Sequence, residues 1–190
     1  MPGKPIKSAL IGGLVVVACT SSTVVAVALG SPQSEFASAL GLAQTHEARA
    51  TRFAMSATRS DLDKARAETV LALRQAPANS TAWLRLAYLD SVSPEGFGAR
   101  ANTALSRSYS VAPYGPDDTA WRLAFAFNHW SALTVSNRKQ ALEELSYIAT
   151  QRSPKVAKLR EDVTNPAGYL ALSLTLSSIT ARIEAEDRLP

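Results

Sequence analysis

NSTAWLRLAYLDSVSPEGFGARANTALSRSYSVAPYGP, residues 79–116, spells two amphipathic helices with a turn between them. Trp83, Leu86, Ala87 and Tyr88 crowd one side of the first helix. Ala101, Leu105 and Tyr109 stand at i, i+4 and i+8 on one face of the second, and Pro113 closes it. A pair this small cannot bury its own apolar face, so it needs neighbours of the same kind. The flanking sequence supplies them, and the expected fold is all-α.

Working outward, Ser60 with Asp63 forms a capping box for a helix that Pro77 stops. Ser93-Pro94-Glu95 reads as a further start signal, and Asp117-Asp118 as caps for the helix carrying Trp121, Phe125 and Trp130. Ser136 opens the next helix, with Ala141, Leu145 and Ile148 on one side and Glu143-Glu144 on a solvated face. Asn165-Pro166 starts the last one, running to about Glu186. It is apolar on nearly all sides as far as Ile179, so it is expected to be buried, yet it lacks the length and flanks of a membrane span. On the N-terminal side, Glu35 to about Thr58 has a thin stripe of small apolar residues, Ala43, Ala50, Ala54 and Ala57 among them, fit to pack on the next helix or on a second copy. No segment alternates with period two, so no strand is expected.

The N-terminus has a different character. No residue between Lys7 and Glu35 is charged, and the apolar stretch ending at Leu29 is long enough to cross a bilayer core of about 30 Å. Lys4 and Lys7 hold the short end in the cytoplasm and place the rest of the chain outside. An uncleaved anchor is the reading taken; cleavage after Gly30 and lipidation at Cys19 are the alternatives. The expected division is therefore an anchor at 1–30, a juxtamembrane helix at 31–60 and a helical-hairpin domain at 61–190. Cys19 is the only cysteine, so the exported part folds without a disulfide. The net charge of +4 falls to +2 when Lys4 and Lys7 are set aside, too balanced to argue for nucleic acid.

Spacing within the helices repeats. Ala65, Ala72 and Pro77 are matched 36 residues later by Ala101, Ser108 and Pro113, and loosely again by Ala141 and Pro154. Trp83 and Trp121 follow the first two prolines. Over about residues 61–154 this resembles the tetratricopeptide family. Trp83 stands at the family's Trp, Leu86 at its Leu, Ala87 at its small Gly and Ala101 at its first Ala. Leu105 takes the aromatic position, Ser108 the second Ala and Pro113 the Pro. Asp90 stands where the family has Tyr, and the turn around Gly96 is two residues longer. With the N-terminal membrane segment, the stretch SYSVAPYGPDDTAWRLAF and Trp130 also resemble small helical-repeat proteins associated with bacterial polysaccharide biosynthesis. These resemblances imply a transmembrane helix followed by stacked antiparallel hairpins in the bacterial periplasm, anchored in the inner membrane.

Chemistry is sparse. His46 and His129 are the only histidines and have no metal-ligand spacing around them; His46 is expected on an exposed helix face and His129 packed beside Trp130. There is no glycine-rich phosphate loop and no nucleophile elbow, so no catalytic, metal or cofactor site is assigned and the chain is read as a non-enzyme. Most of the aromatic residues are expected in the core, Tyr114 excepted. Arg85 and Arg122, each close to a repeat Trp, are the candidate contacts for a partner peptide or envelope protein. The alternative is a carbohydrate-binding module, in which Tyr114 and an exposed Trp stack on sugar while Arg152, Lys155 and Lys158 meet the acidic groups of an anionic glycan.

Overall fold

The computed structural model describes residues 42–56, 58–115 and 118–186. It is all-α: eight α-helices and one 3-10 turn, with no strand among the described residues. In chain order they are α1 (Ala43–Ser56), α2 (Arg59–Gln75), α3 (Ser80–Ser91), α4 (Ala99–Val111), α5 (Thr119–Asn128), the 3-10 turn Trp130–Ala132, α6 (Val135–Thr150), α7 (Lys155–Asp162) and α8 (Pro166–Glu186). No described helix is long and apolar enough to cross a membrane. The expected anchor at 1–30, with Lys4, Lys7 and Cys19, lies outside the described residues, as does Asp117. Two compact units divide after Gln75.

In the first unit α1 packs along α2, so the division expected at residue 60 falls inside a helix pair. The capping box sits two residues earlier than Ser60 and Asp63. Thr58 Oγ1 accepts from the Asp61 N–H at 3.3 Å and donates to the Asp61 carboxylate at 2.8 Å. His46, expected on an exposed face, is buried instead, its Nδ1 2.6 Å from Glu68 Oε2. Arg49 joins the same carboxylate from one helical turn away, at 3.5 Å. The Ser56 hydroxyl, the Thr58 hydroxyl and the Lys64 ammonium all donate to Asp61, and together they hold its carboxyl down from 3.8 to about 2. A depressed carboxylate stabilises the fold above its unfolded value, and that contribution disappears as pH falls through the folded one. The α1–α2 turn should therefore loosen as pH drops from 3.8 toward 2, and Asp61→Asn should abolish that step. Amide exchange of residues 58–62 against pH checks it.

The second unit begins with α3 packed along α4. Asn79 caps α3, its side chain accepting from the Ala82 N–H at 3.0 Å. Leu84, Leu86, Ala87 and Leu89 are all buried, a wider face than the one marked by Leu86 and Ala87. Trp83 is only half-buried, and its indole N–H donates to the Pro77 carbonyl at 2.8 Å, which fixes the entry turn. Ser93-Pro94-Glu95 does not start a helix. Gly96 takes a left-handed φ of 69°, open to glycine, and α4 begins only at Ala99. Asp90, at the position of the family Tyr, is buried, with Arg100 Nε 3.8 Å from its carboxylate.

Second helices share one register. Ala65, Thr69 and Ala72 in α2, Ala101, Leu105 and Ser108 in α4, and Ala141, Leu145 and Ile148 in α6 are all buried at i, i+4 and i+7. A small residue at the start of each triplet, Ala65, Ala101 and Ala141, lets a neighbouring backbone approach, while fully burying a residue such as Leu105 or Leu145 stabilises by about 1.5–3 kcal/mol. Within the second unit α6 packs on α4 and α5. Asn102 and Asn137 stitch the starts of α4 and α6 together. Asn102 Nδ2 donates to the Ala132 carbonyl at 2.9 Å, and Asn137 Nδ2 to the Asn102 carbonyl at 2.9 Å. The cap of α6 is Thr134, two residues before Ser136.

Asn165 and Pro166 start α8 as the sequence implies, Asn165 Oδ1 accepting from the Gly168 N–H at 3.0 Å. The helix packs on α5, α6 and the 3-10 turn with Leu172, Leu176 and Ile179 inward. It is not buried all round: Leu170 is 59% and Leu174 63% exposed, because those neighbours lie against one face only. Gly168 is the contact point, where a Cβ would stand 1.8 Å from the Phe127 carbonyl oxygen.

Candidate functional site

Between α3 and α5 the second unit leaves an open groove of about 280 Å³. From α3 it is lined by Thr81, Leu84, Arg85 and Tyr88, and on the other side by Asp118, just before α5, and Trp121 of α5. Tight packing of α3 goes to α4, and the groove toward α5 stays open.

Polar side chains close one end. The Ser80 hydroxyl donates to Asp118, and Thr81 Oγ1 donates to the same carboxylate at 2.8 Å. Asp118 precedes α5 but makes no capping bond to it; its oxygens reach the first turn of α3 instead. The carboxylate thus stands near two helix N-termini, where the backbone dipoles favour negative charge. Rings close the other end. Tyr88 meets Trp121 edge-on with centroids 6.0 Å apart, and Trp121 stacks on Phe125 at 5.1 Å. The ladder continues through His129, 4.6 Å from Phe125, and Phe97, which stacks on His129 at 4.5 Å. Trp121, Phe125 and His129 are spaced i, i+4 and i+8, so one face of α5 is aromatic throughout. His129 donates from Nδ1 to the Phe125 carbonyl at 2.9 Å, which orients its ring in the ladder. Phe125 is buried, whereas Trp121 is 47% exposed at the groove.

The residues singled out from sequence scatter. Arg85 lines the groove. Arg122, the other candidate partner contact, does not: it is entirely buried, turned away from Trp121 toward α4 and α6. Its Nε and Nη2 form a fork on the Glu144 carboxylate at 3.1 and 2.5 Å. Nη1 donates to Ser108 Oγ at 3.2 Å and the Ala112 carbonyl at 2.8 Å, and Nη2 to the Pro113 carbonyl at 3.0 Å. The guanidinium also lies over the Tyr109 ring, 4.3 Å from its centroid. Arg122 is thus the C-terminal cap of α4 and the bolt between α4, α5 and α6, not a partner contact. Glu144, expected on a solvated face, is buried as its counter-ion and also accepts from Thr119 Oγ1 at 2.8 Å. Burial pushes its carboxyl upward, and the bonds from Arg122 and Thr119 only partly offset that. Burial and the neighbouring Glu144 charge push the Tyr109 hydroxyl well above its ordinary range.

Tyr114 is exposed, as expected, but stands away from the groove against Tyr147 of α6, with ring centroids 4.6 Å apart. Arg152, Lys155 and Lys158 lie on the α6–α7 turn and α7 and line neither the groove nor the surface around Tyr114. Lys158 pairs with Asp162 at 3.0 Å. Sequence reasoning missed the role of Asp118, whose hydroxyl partners lie 37 and 38 residues away. It also missed Tyr147, read only as part of α6. Among the described residues no group of acidic, histidine or cysteine side chains is arranged to hold a metal ion. Comparison with protein-family models, with curated proteins and with solved structures returns no match.

Proposed function

We propose that this chain is a non-enzymatic, tetratricopeptide-like scaffold, tethered to the bacterial inner membrane by its N-terminal segment, that holds a peptide segment of another envelope protein. The groove between α3 and α5 carries this reading. It combines a half-exposed Trp, a Tyr edge and an Arg, the residue types that dominate protein–protein contacts. Its volume of about 280 Å³ lies below the usual range for enclosed small-ligand pockets and suits an anchoring side chain of a longer partner. The buried i, i+4, i+7 register of α2, α4 and α6 supports the repeat reading. Lys4 and Lys7 before the uncharged segment support a periplasmic domain. The resemblance around residues 108–125 and Trp130 supports a place in exopolysaccharide synthesis or export.

Affinity capture of the full chain after chemical crosslinking in its own host tests this. The expected result is recovery of one envelope protein with wild type, reduced at least about tenfold by Trp121→Ala, since truncating a central aromatic contact typically costs 2 kcal/mol or more. Arg85→Glu should weaken recovery in the same way. Equal recovery from wild type and both variants would rule out the groove as the contact.

A further inference from the structure

A second concavity, about 800 Å³ and open along its length, follows α6. Tyr114 from the α4–α5 turn and Tyr147 from α6 form its ring pair, tilted 32° to one another and each about half exposed. Trp130 lines it too, with Phe127 stacked on its ring at 5.1 Å. Arg138 stands over Trp130, 5.7 Å from the ring centroid, and is held by the Trp130 and Ser131 carbonyls, both at 3.0 Å. Glu143, Tyr147 and Gln151 follow one another at i, i+4 and i+8 along the trough, alternating a hydrogen-bonding group with a ring.

We propose that this trough binds an acidic oligosaccharide chain, a function separate from the α3–α5 groove. A pyranose offers an apolar C–H face for a ring and equatorial hydroxyls for flanking carboxylate and amide groups, and the lining supplies both in alternation. Successive residues four apart rise about 6 Å along a helix, an advance comparable with one sugar unit. An open trough admits a chain passing through, where an enclosed pocket would take only an end. Lys139 pairs with Glu143 one helical turn on, at 3.8 Å, so Arg138 sets the sign of the walls, which favours a uronate over a neutral sugar. The cations differ from those chosen from sequence, since Arg152, Lys155 and Lys158 lie outside the trough.

Titration calorimetry of the full chain in detergent, with oligogalacturonate and with maltohexaose, tests the proposal. Oligogalacturonate should bind saturably and more tightly than maltohexaose. Tyr114→Ala and Tyr147→Ala should each weaken it about tenfold, Tyr147→Phe should retain it, and Trp121→Ala should leave it unchanged. Binding of neither saccharide, or binding undiminished in both alanine variants, overturns the proposal. So does a benzophenone side chain at position 143 that captures a protein in the host while the saccharides fail to bind. Because Trp121→Ala reports on the other groove, the scaffold reading and this one fail independently.

Discussion

Arg122→Ala should destabilise the second unit by about 3–5 kcal/mol, the usual cost of removing one partner from a buried ion pair. That is a large share of the 5–15 kcal/mol that typically holds a domain together. Two losses combine. Glu144, 1% exposed, is left charged without its guanidinium partner, and the carbonyls of Ala112 and Pro113 lose their donor. The variant should also acquire a characteristic pH dependence. Burial already raises the Glu144 carboxyl, and Arg122 opposes that rise, so its removal raises the carboxyl further. With a raised acid the folded state binds more protons than the unfolded one between the two values, and stability falls as pH rises through them. Urea denaturation of the variant should therefore show its deficit growing as pH rises above the ordinary value of 4.5. Arg122→Met combined with Glu144→Leu should recover the part lost to the unpaired charge, because a packed apolar pair replaces a buried ionic one at little cost, and should leave the part lost at the Ala112 and Pro113 carbonyls, which still lack a donor.

The second large effect is expected at Gly168. An alanine there places its Cβ 1.8 Å from the Phe127 carbonyl oxygen and 2.7 Å from the carbonyl carbon, and backbone cannot swing aside as a side chain would. Overpacking of this kind costs about 1–3 kcal/mol, and here it acts at the first turn of α8. The Asn128 side chain fixes the approach from the other side. It accepts from the Thr164 and Asn165 N–H groups at 2.8 and 3.1 Å and donates to the Asp162 carbonyl at 2.9 Å. Neither element can retreat without breaking that clasp. Gly168→Ala should thus lift α8 from α5 and α6, exposing Leu172, Leu176 and Ile179. Hydrogen exchange should speed up over residues 166–180 while α3 and α4 keep their protection. Unchanged exchange in α8 would mean that the helix does not dock through Gly168.

Local chemistry made part of this fold readable. Asn165-Pro166 and Pro113 act where they stand, through bonds and sterics within a few residues, and the structure places helix ends at both of them. Signals weaker than their neighbours failed. Ser93-Pro94 has the chemistry of a helix start, but Gly96 and Gly98 follow immediately, and α4 waits until the chain is past them. Long-range pairing was hidden altogether. Arg122 looks like a surface arginine because its partner Glu144 is 22 residues away, and Glu144 looks solvated because Glu143 beside it is. His46 was misplaced for the same reason, its carboxylate lying 22 residues on in α2. Among the candidate contacts, Arg85 reached the groove because the open face of α3 is set by its own helix. Trp121 and Arg122 are adjacent in sequence and point to opposite ends of the chemistry, one half exposed and one fully enclosed.

The central claim, that a partner docks between α3 and α5, is tested most directly by photocrosslinking from inside the groove. A benzophenone side chain at the exposed position 81 of the full chain should give, on irradiation in the host, one discrete adduct with an envelope protein. The same group at the exposed position 103 on α4 should give none, and Trp121→Ala should abolish the adduct from position 81. Adduct from position 103 with none from 81, or an adduct from 81 indifferent to Trp121→Ala, would contradict the account.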